Sequence, residues 1–194
     1  SDREFAPGST LTRAMVAQML YSLEGKPAAG SADFADVAEG AWYADAISWA
    51  AGEGIVSGYG DTFGPNDPIT REQLAAILYR YADHLGLDTD TGFIPDKYYD
   101  FSDYQSVSRY ATNAMSWCVN KGIVSGSDGK LNPHGTATRA EVATMLMNAE
   151  NILDANEPTE PETPVSPDGQ PVPDDTDNET ADDNQTVTDE ISLR

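Results

Sequence analysis

Apolar residues recur at helical spacing in several stretches of the chain, and loops rich in Gly, Pro and Asp separate these stretches. Residues 45–51 place small and aromatic side chains on one face, which predicts a short amphipathic helix that ends at the glycines following it. A longer helix is predicted from Arg71 to about His84, and the loop between the two includes a very short extended piece at residues 55–56. The resulting unit is a helix, a loop and a second helix.

The second half of this unit occurs three times along the chain. The copies read "FAPGSTLTRAMVAQML" (5–20), "FGPNDPITREQLAAIL" (63–78) and "LNPHGTATRAEVATML" (131–146). Such self-similarity indicates a repeat architecture, in which units pack together because one helix pair cannot bury its apolar face alone. We predict the second half of a first copy at 1–27, a full second copy at 33–86 and a full third copy at 98–154.

Each copy starts its second helix with the dipeptide Thr-Arg. Thr70 with Gln73, and Thr138 with Glu141, are predicted to form capping boxes. The arginine after each threonine faces the positive end of the helix dipole, which disfavours it by about 0.3–1 kcal/mol. These arginines are Arg13, Arg71 and Arg139. Their recurrence at an unfavourable position favours contact with a ligand, and a surface salt bridge is the structural alternative.

Charge and composition limit the classes of partner. The net charge is −22, which argues against binding to nucleic acid or to an anionic membrane, and no stretch has the apolar length of a membrane span. Residues 155–194 contain twelve acidic residues, one basic residue and six prolines, which predicts a disordered acidic tail or linker. The one cysteine, Cys118, excludes an internal disulfide, and its position beside Trp117 at core spacing predicts burial.

Other kinds of site find little support. The histidines His84 and His134 have no recurring partner, and the chain has no nucleophile elbow or phosphate loop, so we predict that it is not an enzyme. The loops "SGYGDTFGPND" and "SGSDGK" lack the ligand spacing of a calcium-binding EF-hand, and no metal or cofactor is predicted. A structural, self-assembling or calcium-dependent surface module remains the alternative to a ligand-binding module.

Several motifs together resemble the S-layer homology domain family of bacterial surface proteins. They are Phe34–Val37, Trp42-Tyr43, Gly54–Gly58, Gly122–Gly126, Asp61–Pro65 and the Thr-Arg helix starts, of which only residues 138–141 give the full Thr-Arg-Ala-Glu signature. The resemblance implies a mainly α fold: tandem helix-loop-helix repeats in a pseudo-threefold bundle, with a truncated first repeat and the tail after it. It also implies an extracellular location at the bacterial cell wall, with any cargo domain elsewhere in the parent chain.

The resemblance implies that grooves between copies bind a secondary cell-wall polysaccharide, often through an acidic or pyruvylated sugar. The helix N-terminus would offer free N–H groups to the anion, and the arginine would add a bidentate contact. Carried over by position, one pocket combines Arg71 with Trp42 and Gly58, and another combines Arg139 with Gly126 and Glu141. The full set of candidates adds Arg13, Gln73, Thr70 and Thr138.

Three further expectations concern individual residues. Trp49 and Trp117 are predicted to lie in the core, whereas Trp42 is open between the core and a platform for a sugar ring. The third copy has Tyr110 at the position of Trp42. The site at Arg13 departs most from the family pattern, because Met15 cannot complete a capping box. The repeat glycines, including Gly58 and Gly126, are expected at backbone positions with positive φ.

Overall fold

A computed structural model describes residues 6–30, 33–90 and 94–156, with side chains up to residue 152. The helices are α1 Arg13–Leu23, α2 Ala44–Gly52, α3 Arg71–His84, α4 Asp96–Tyr99, α5 Thr112–Asn120 and α6 Arg139–Asn156, with 3-10 turns at Tyr104–Ser106 and Arg109–Ala111. Over these ranges the chain has no β-strand, only isolated bridges, which confirms the mainly α prediction. None of the described helices combines the length and apolarity that crossing a membrane requires. The predicted tail begins two residues too early, because residues 155 and 156 still belong to α6, and from 157 onward it lies outside the described residues.

The two predicted helices are confirmed, and residues 55–56 between them form no strand. The helix predicted at 71–84 is α3, and the one predicted at 45–51 lies within α2. The N–H groups of Ile55 and Val56 both donate to the carbonyl of Ala50, at 2.8 and 3.1 Å. These two residues therefore close the end of α2, and their side chains are buried in the core.

Three backbone hydrogen bonds join the copies into a closed ring just before the helices α1, α3 and α6. The N–H of Leu11 donates to Ala137, Ala137 donates to Ile69, and Ile69 donates back to Leu11, at 3.3, 2.8 and 2.9 Å. The three residues occupy the same place in their copies, directly before the capping threonine. The ring therefore gives the three copies a pseudo-threefold arrangement.

The helices pair between copies. Helix α1 packs against α2, with Tyr21 and Trp49 at 5.7 Å between ring centroids, and α3 packs against α5 through Tyr79 and Trp117 at the same distance. Both tryptophans are buried, as predicted, and so is Cys118. The residue of α6 equivalent to these two tyrosines is Met147, whose side chain is exposed. Two of the three equivalent helix faces are thus covered by a partner helix, and the face of α6 is open at this position.

The Phe-x-Asp motif of each full copy fixes the loop that precedes the arginine-bearing helix. Asp36 accepts hydrogen bonds from the N–H groups of Phe63 and Gly64, both at 2.7 Å. Asp103 accepts the same pair of bonds in the third copy, from residues 131 and 132 at 2.8 Å. The hydrogen bond from Phe63 is the largest influence on the pKa of Asp36 and holds it below its usual value.

Gly58 and Gly126 are required by close packing of these loops. A Cβ atom at Gly58 would run into the ring of Phe34 and the carbonyl of Thr62, and a Cβ at Gly126 would run into Phe101 in the same way. Gly126 has the predicted positive φ, at 70°. The prediction of a positive φ is wrong for Gly58. A side chain is excluded there by the ring of Phe34 and not by the backbone angle.

Candidate functional site

Three grooves open between the copies, and each of them contains one of the three recurring arginines. We name them the Arg13, Arg71 and Arg139 grooves; their volumes are about 290, 300 and 340 Å³. These volumes lie at the lower end of the range for small-molecule sites.

The Arg13 groove is built from all three copies. Arg13 comes from the first copy, the loop 57–59 and a face of α3 come from the second, and Tyr110 comes from the third. The residues of α3 that line the groove are Gln73, Ala76, Ile77 and Arg80. A second arginine thus shares this groove with Arg13, and its lining residues include no aspartate or glutamate.

The other two grooves repeat this plan with different side chains. In the Arg71 groove the loop is 125–127, and the helix residues are Ala140, Glu141, Thr144 and Met145 of α6. In the Arg139 groove, α1 provides Met15, Gln18 and Met19, Trp42 takes the place of Tyr110, and Leu11 and Ala143 complete the lining. The Arg71 groove thus contains a carboxylate, whereas the Arg139 groove is largely apolar.

The predicted grouping of the site residues is wrong, although most of the predicted residues do line the grooves. The exceptions are the capping threonines Thr70 and Thr138, which are not among the lining residues. Arg71 lies with Gly126 and Glu141, Gly58 lies with Arg13, and Trp42 lies with Arg139. The ring of backbone bonds is the reason, because it inserts the start of each helix into the following copy. Arg13 and Arg71 therefore meet the loop of the next copy rather than that of their own, and Arg139 meets helix α1 of the first copy. The Arg13 groove, expected to depart most from the family pattern, is built from all three copies.

The arginines also hold neighbouring copies together. The Nε of Arg13 donates to the carbonyl of Phe63 at 2.9 Å, and its Nη2 donates to Ser57 at 2.7 Å. Its guanidinium carbon lies over the rings of Tyr59 and Phe63, 4.8 and 4.5 Å from their centroids. Arg71 makes the equivalent Nε bond to Leu131 at 2.8 Å. Arg13 is only 4% exposed, so the alternative of a surface salt bridge is wrong for it.

The prediction that free backbone N–H groups at these helix starts receive an anion is also wrong. The N–H groups of Arg13 and Ala14 donate to carbonyls of the second copy, at 3.0 and 3.1 Å, and Met15 donates to the hydroxyl of Thr12. The first two residues of α3 and α6 donate to the following copy in the same way. These N–H groups are already bonded to carbonyls of the neighbouring copy and are not available to an anion. The positive charge in the grooves therefore comes from the arginine side chains.

The capping boxes at Thr70 and Thr138 are confirmed, and they differ in one respect. Gln73 accepts a bond from the Thr70 N–H at 3.1 Å, and its amide donates to the hydroxyl of Tyr59 at 2.8 Å. Glu141 accepts from the Thr138 N–H at 2.9 Å, and its second oxygen accepts from Nη1 of Arg71 at 2.7 Å. The same position is thus neutral in the Arg13 groove and forms an ion pair in the Arg71 groove.

The charged state of Glu141 is favoured by its contacts. Burial raises the pKa of Glu141, but the hydrogen bonds from Thr138 and the nearby charge of Arg71 outweigh it and leave the pKa below its usual value. The carboxylate is therefore ionised over the ordinary pH range and compensates the charge of Arg71.

Glu72 is a buried residue beside the Arg13 groove that no sequence motif singles out. It is 4% exposed and accepts bonds from the N–H and hydroxyl of Ser108, at 2.9 and 2.8 Å, and from the hydroxyl of Tyr110 at 3.1 Å. His134 lies 3.4 Å from the same carboxylate. The second copy thereby fixes the aromatic residue that the third copy supplies to the Arg13 groove.

Exposed aromatic rings line two of the grooves. Trp42 is 61% exposed, Tyr110 is 56% exposed and Tyr59 is 53% exposed. The alternative that Trp42 belongs to the core is therefore wrong, and its ring is available to stack on a ligand. Within the described ranges, no group of three or more His, Cys, Asp or Glu side chains is placed to hold a metal ion.

Comparison with known proteins identifies the family of the repeats. Residues 33–75 and 100–143 match the family model of the S-layer homology domain, inside the predicted second and third copies. The chain is 37% identical over 148 residues to an amylopullulanase of Thermoanaerobacterium thermosulfurigenes, 35% identical over 148 residues to exoglucanase XynX of Acetivibrio thermocellus, and 31% identical over 156 residues to a surface-layer 125 kDa protein of Lysinibacillus sphaericus. These matches cover 75%, 75% and 78% of this chain, but 8%, 13% and 13% of those proteins.

Proposed function

Since the repeat region of this chain belongs to the S-layer homology domain family, a non-catalytic module that anchors bacterial surface proteins to the cell wall, we propose that it does so by binding an acidic wall polysaccharide in its grooves. The relatives include two enzymes named for other activities, and the match covers only a small part of each of them. By analogy, any catalytic cargo of this protein lies outside the repeats.

The observation that carries this proposal is the charge of the Arg13 groove. Arg13 and Arg80 both line it without a lining carboxylate, in a chain whose net charge is −22. The two hydrogen bonds described for Arg13 use two of the five N–H donors of its guanidinium, so donors remain for a ligand. A planar carboxylate on a sugar, such as that of a uronic acid or a pyruvate ketal, matches the geometry of these donors.

The remaining walls of the groove suit the body of a sugar. The rings of Tyr59 and Tyr110 are exposed and can pack against the C–H face of a pyranose, while the Gln73 amide and the tyrosine hydroxyls can bond to its hydroxyl groups. Glu72 fixes Tyr110 in place before a ligand arrives, which lowers the entropy cost of binding.

The test is binding of this chain to purified bacterial cell walls that keep their secondary polysaccharide, and to walls chemically stripped of it. We expect binding only to the intact walls. Equal binding to both would point to peptidoglycan as the ligand, and binding to neither would refute the proposal.

A charge-matched pair of variants then tests the groove itself. Arg80 lies half-buried in the Arg13 groove, whereas Arg109 is exposed and lines none of the three grooves described. We expect Arg80→Gln to weaken wall binding by about tenfold, which corresponds to the loss of one charged hydrogen bond. Arg109→Gln makes the same change in net charge and is expected to bind as the unchanged chain does. Equal losses from both variants would indicate a general effect of charge and not a site.

A further inference from the structure

We propose that the surface formed by Tyr99, Tyr104 and Gln105, outside the three grooves, is a further subsite for the wall polysaccharide. It binds a neutral sugar while an acidic sugar of the same polysaccharide occupies the Arg13 groove. We name these three residues the tyrosine surface. The inference rests on the proposed function, because it extends the site for the ligand assigned there.

The tyrosine surface lies on a segment that the repeat pattern does not contain. The link between the second and third copies includes α4 and is longer than the link between the first and second copies, whose described residues form no helix. Tyr98 holds α4 in place: its side chain is 2% exposed, and its hydroxyl donates to the carbonyl of Tyr104 at 3.1 Å. The ring of Tyr99 beside it is 49% exposed, so it contributes little to the core and is available to a ligand.

The two rings of the tyrosine surface form a fixed corner. The centroid of the Tyr99 ring lies 5.2 Å from that of the half-buried Tyr104, and the rings meet at 86°. Both rings also contact the buried ring of Tyr98, at 5.6 and 5.9 Å. The amide of Gln105 donates to the hydroxyl of Tyr104 at 3.1 Å. Because these contacts already order the rings, little side-chain freedom remains to be lost when a ligand binds.

The chemistry of the tyrosine surface suits a sugar without charge. The ring faces can pack against the C–H face of a pyranose, and the tyrosine hydroxyls and the side-chain carbonyl of Gln105 can bond to its hydroxyl groups. The exposed charged residues of the same segment are Asp96, Lys97 and Asp100, so carboxylates outnumber cations there. An acidic sugar is therefore favoured in the Arg13 groove, and a neutral one at the tyrosine surface.

Glu72 connects the tyrosine surface to the Arg13 groove. Its carboxylate accepts a hydrogen bond from Tyr110, which lines that groove. Burial raises the pKa of Tyr98 to about 12, and the nearby charge of Glu72 contributes to the increase, so the two residues are close together. The chain from Tyr104 to Tyr110 contains two 3-10 turns, and a stretch this short reaches no more than about 22 Å even when fully extended. An oligosaccharide of a few sugars can therefore occupy both places.

The first measurement is calorimetric titration of the full chain with oligosaccharides released from bacterial walls and separated by length. Long fragments are expected to bind the unchanged chain at least tenfold more tightly than short ones, because their second contact is intramolecular. Tyr99→Ala is expected to remove most of this gain and to leave the binding of short fragments unchanged. Tyr99→Phe keeps the ring and is expected to keep the gain.

Leu23→Ala is the matched control, because Leu23 is 58% exposed and lines none of the three grooves. It is expected to bind every fragment as the unchanged chain does. A full gain with length in Tyr99→Ala would overturn the inference. If that variant also lost self-association in analytical ultracentrifugation, the tyrosine surface would be an interface between copies of the chain instead.

The second measurement uses the unchanged chain and separates this inference from the proposed function. Long fragments whose carboxylates have been reduced to alcohols are expected to shift the ring C–H NMR signals of Tyr99 and Tyr104. If they do so while acidic fragments bind no more tightly than reduced ones, the acidic ligand of the Arg13 groove is wrong and the tyrosine surface stands. If acidic fragments bind in a manner that depends on Arg80 but no fragment shifts the tyrosine signals, the groove stands and the tyrosine surface is refuted.

Discussion

Replacing Glu72 by Ala should destabilise the whole repeat region, because this carboxylate joins the second copy to the third. The change leaves the N–H and hydroxyl of Ser108 without their acceptor and releases Tyr110, whose side chain is exposed and can turn its hydroxyl to water. Hydrogen bonds to a charged acceptor contribute about 1.5–3 kcal/mol each, and water replaces part of that where it can enter. The higher helix propensity of Ala offsets only a few tenths of a kcal/mol.

The expected net loss is about 2–4 kcal/mol in the free energy of unfolding, or roughly 5–15 °C in Tm for a domain of this size. The measurement is urea and thermal unfolding followed by circular dichroism. Glu39→Ala is the control, because Glu39 is exposed in a loop and carries the same charge. Ala14 and Ala140 occupy the equivalent position in the other copies, so Ala is compatible with the helix start itself. A loss no larger than that of the control would refute the assigned role of Glu72.

Three further outcomes are expected. The pKa of Glu141 is lower in the folded chain than in the unfolded chain. Its contribution to stability is therefore present above the ordinary carboxyl pKa of about 4.3 and is lost as the pH falls through the folded value. The Tm of the Glu141→Gln variant should fall less between pH 5 and 3 than the Tm of the unchanged chain. Gly58→Ala should cost about 1–3 kcal/mol because its Cβ meets Phe34, whereas Gly8→Ala, with open space around its Cβ, should cost little in the same unfolding assay. Burial raises the pKa of Cys118, so its thiol should react with a thiol reagent only on unfolding, and reaction at the rate of a free thiol in native buffer would contradict its place in the core.

The sequence predicted the features that depend on near neighbours. Helix α3 was predicted from a cap, its partner three residues on and apolar side chains at helical spacing, all of which are local. The grouping of residues into grooves depends on how the copies close into a ring, and a repeat alignment does not show which copy an arginine enters. That is why Trp42 and Gly58 were assigned to Arg71.

Glu72 was missed for a related reason. Its partners Ser108 and Tyr110 lie in another copy, and no counterpart exists at Ala14 or Ala140 to draw attention to it. One signal was present, since a glutamate stands in α3 where both sister helices have a small apolar residue. The short helix α4 also went unpredicted, because four residues are too few for a helical period to be visible.

The bonds among Leu11, Ile69 and Ala137 turn the array of repeats from a line into a circle. A linear array has two end units with one neighbour each, and such ends open first when the protein is heated or pulled. In this circle the first and third copies hold each other, so parting one junction must also strain the other two. Under the drag that acts on a protein at the cell surface, the module should yield in a single step at a sharp threshold of force, and not copy by copy.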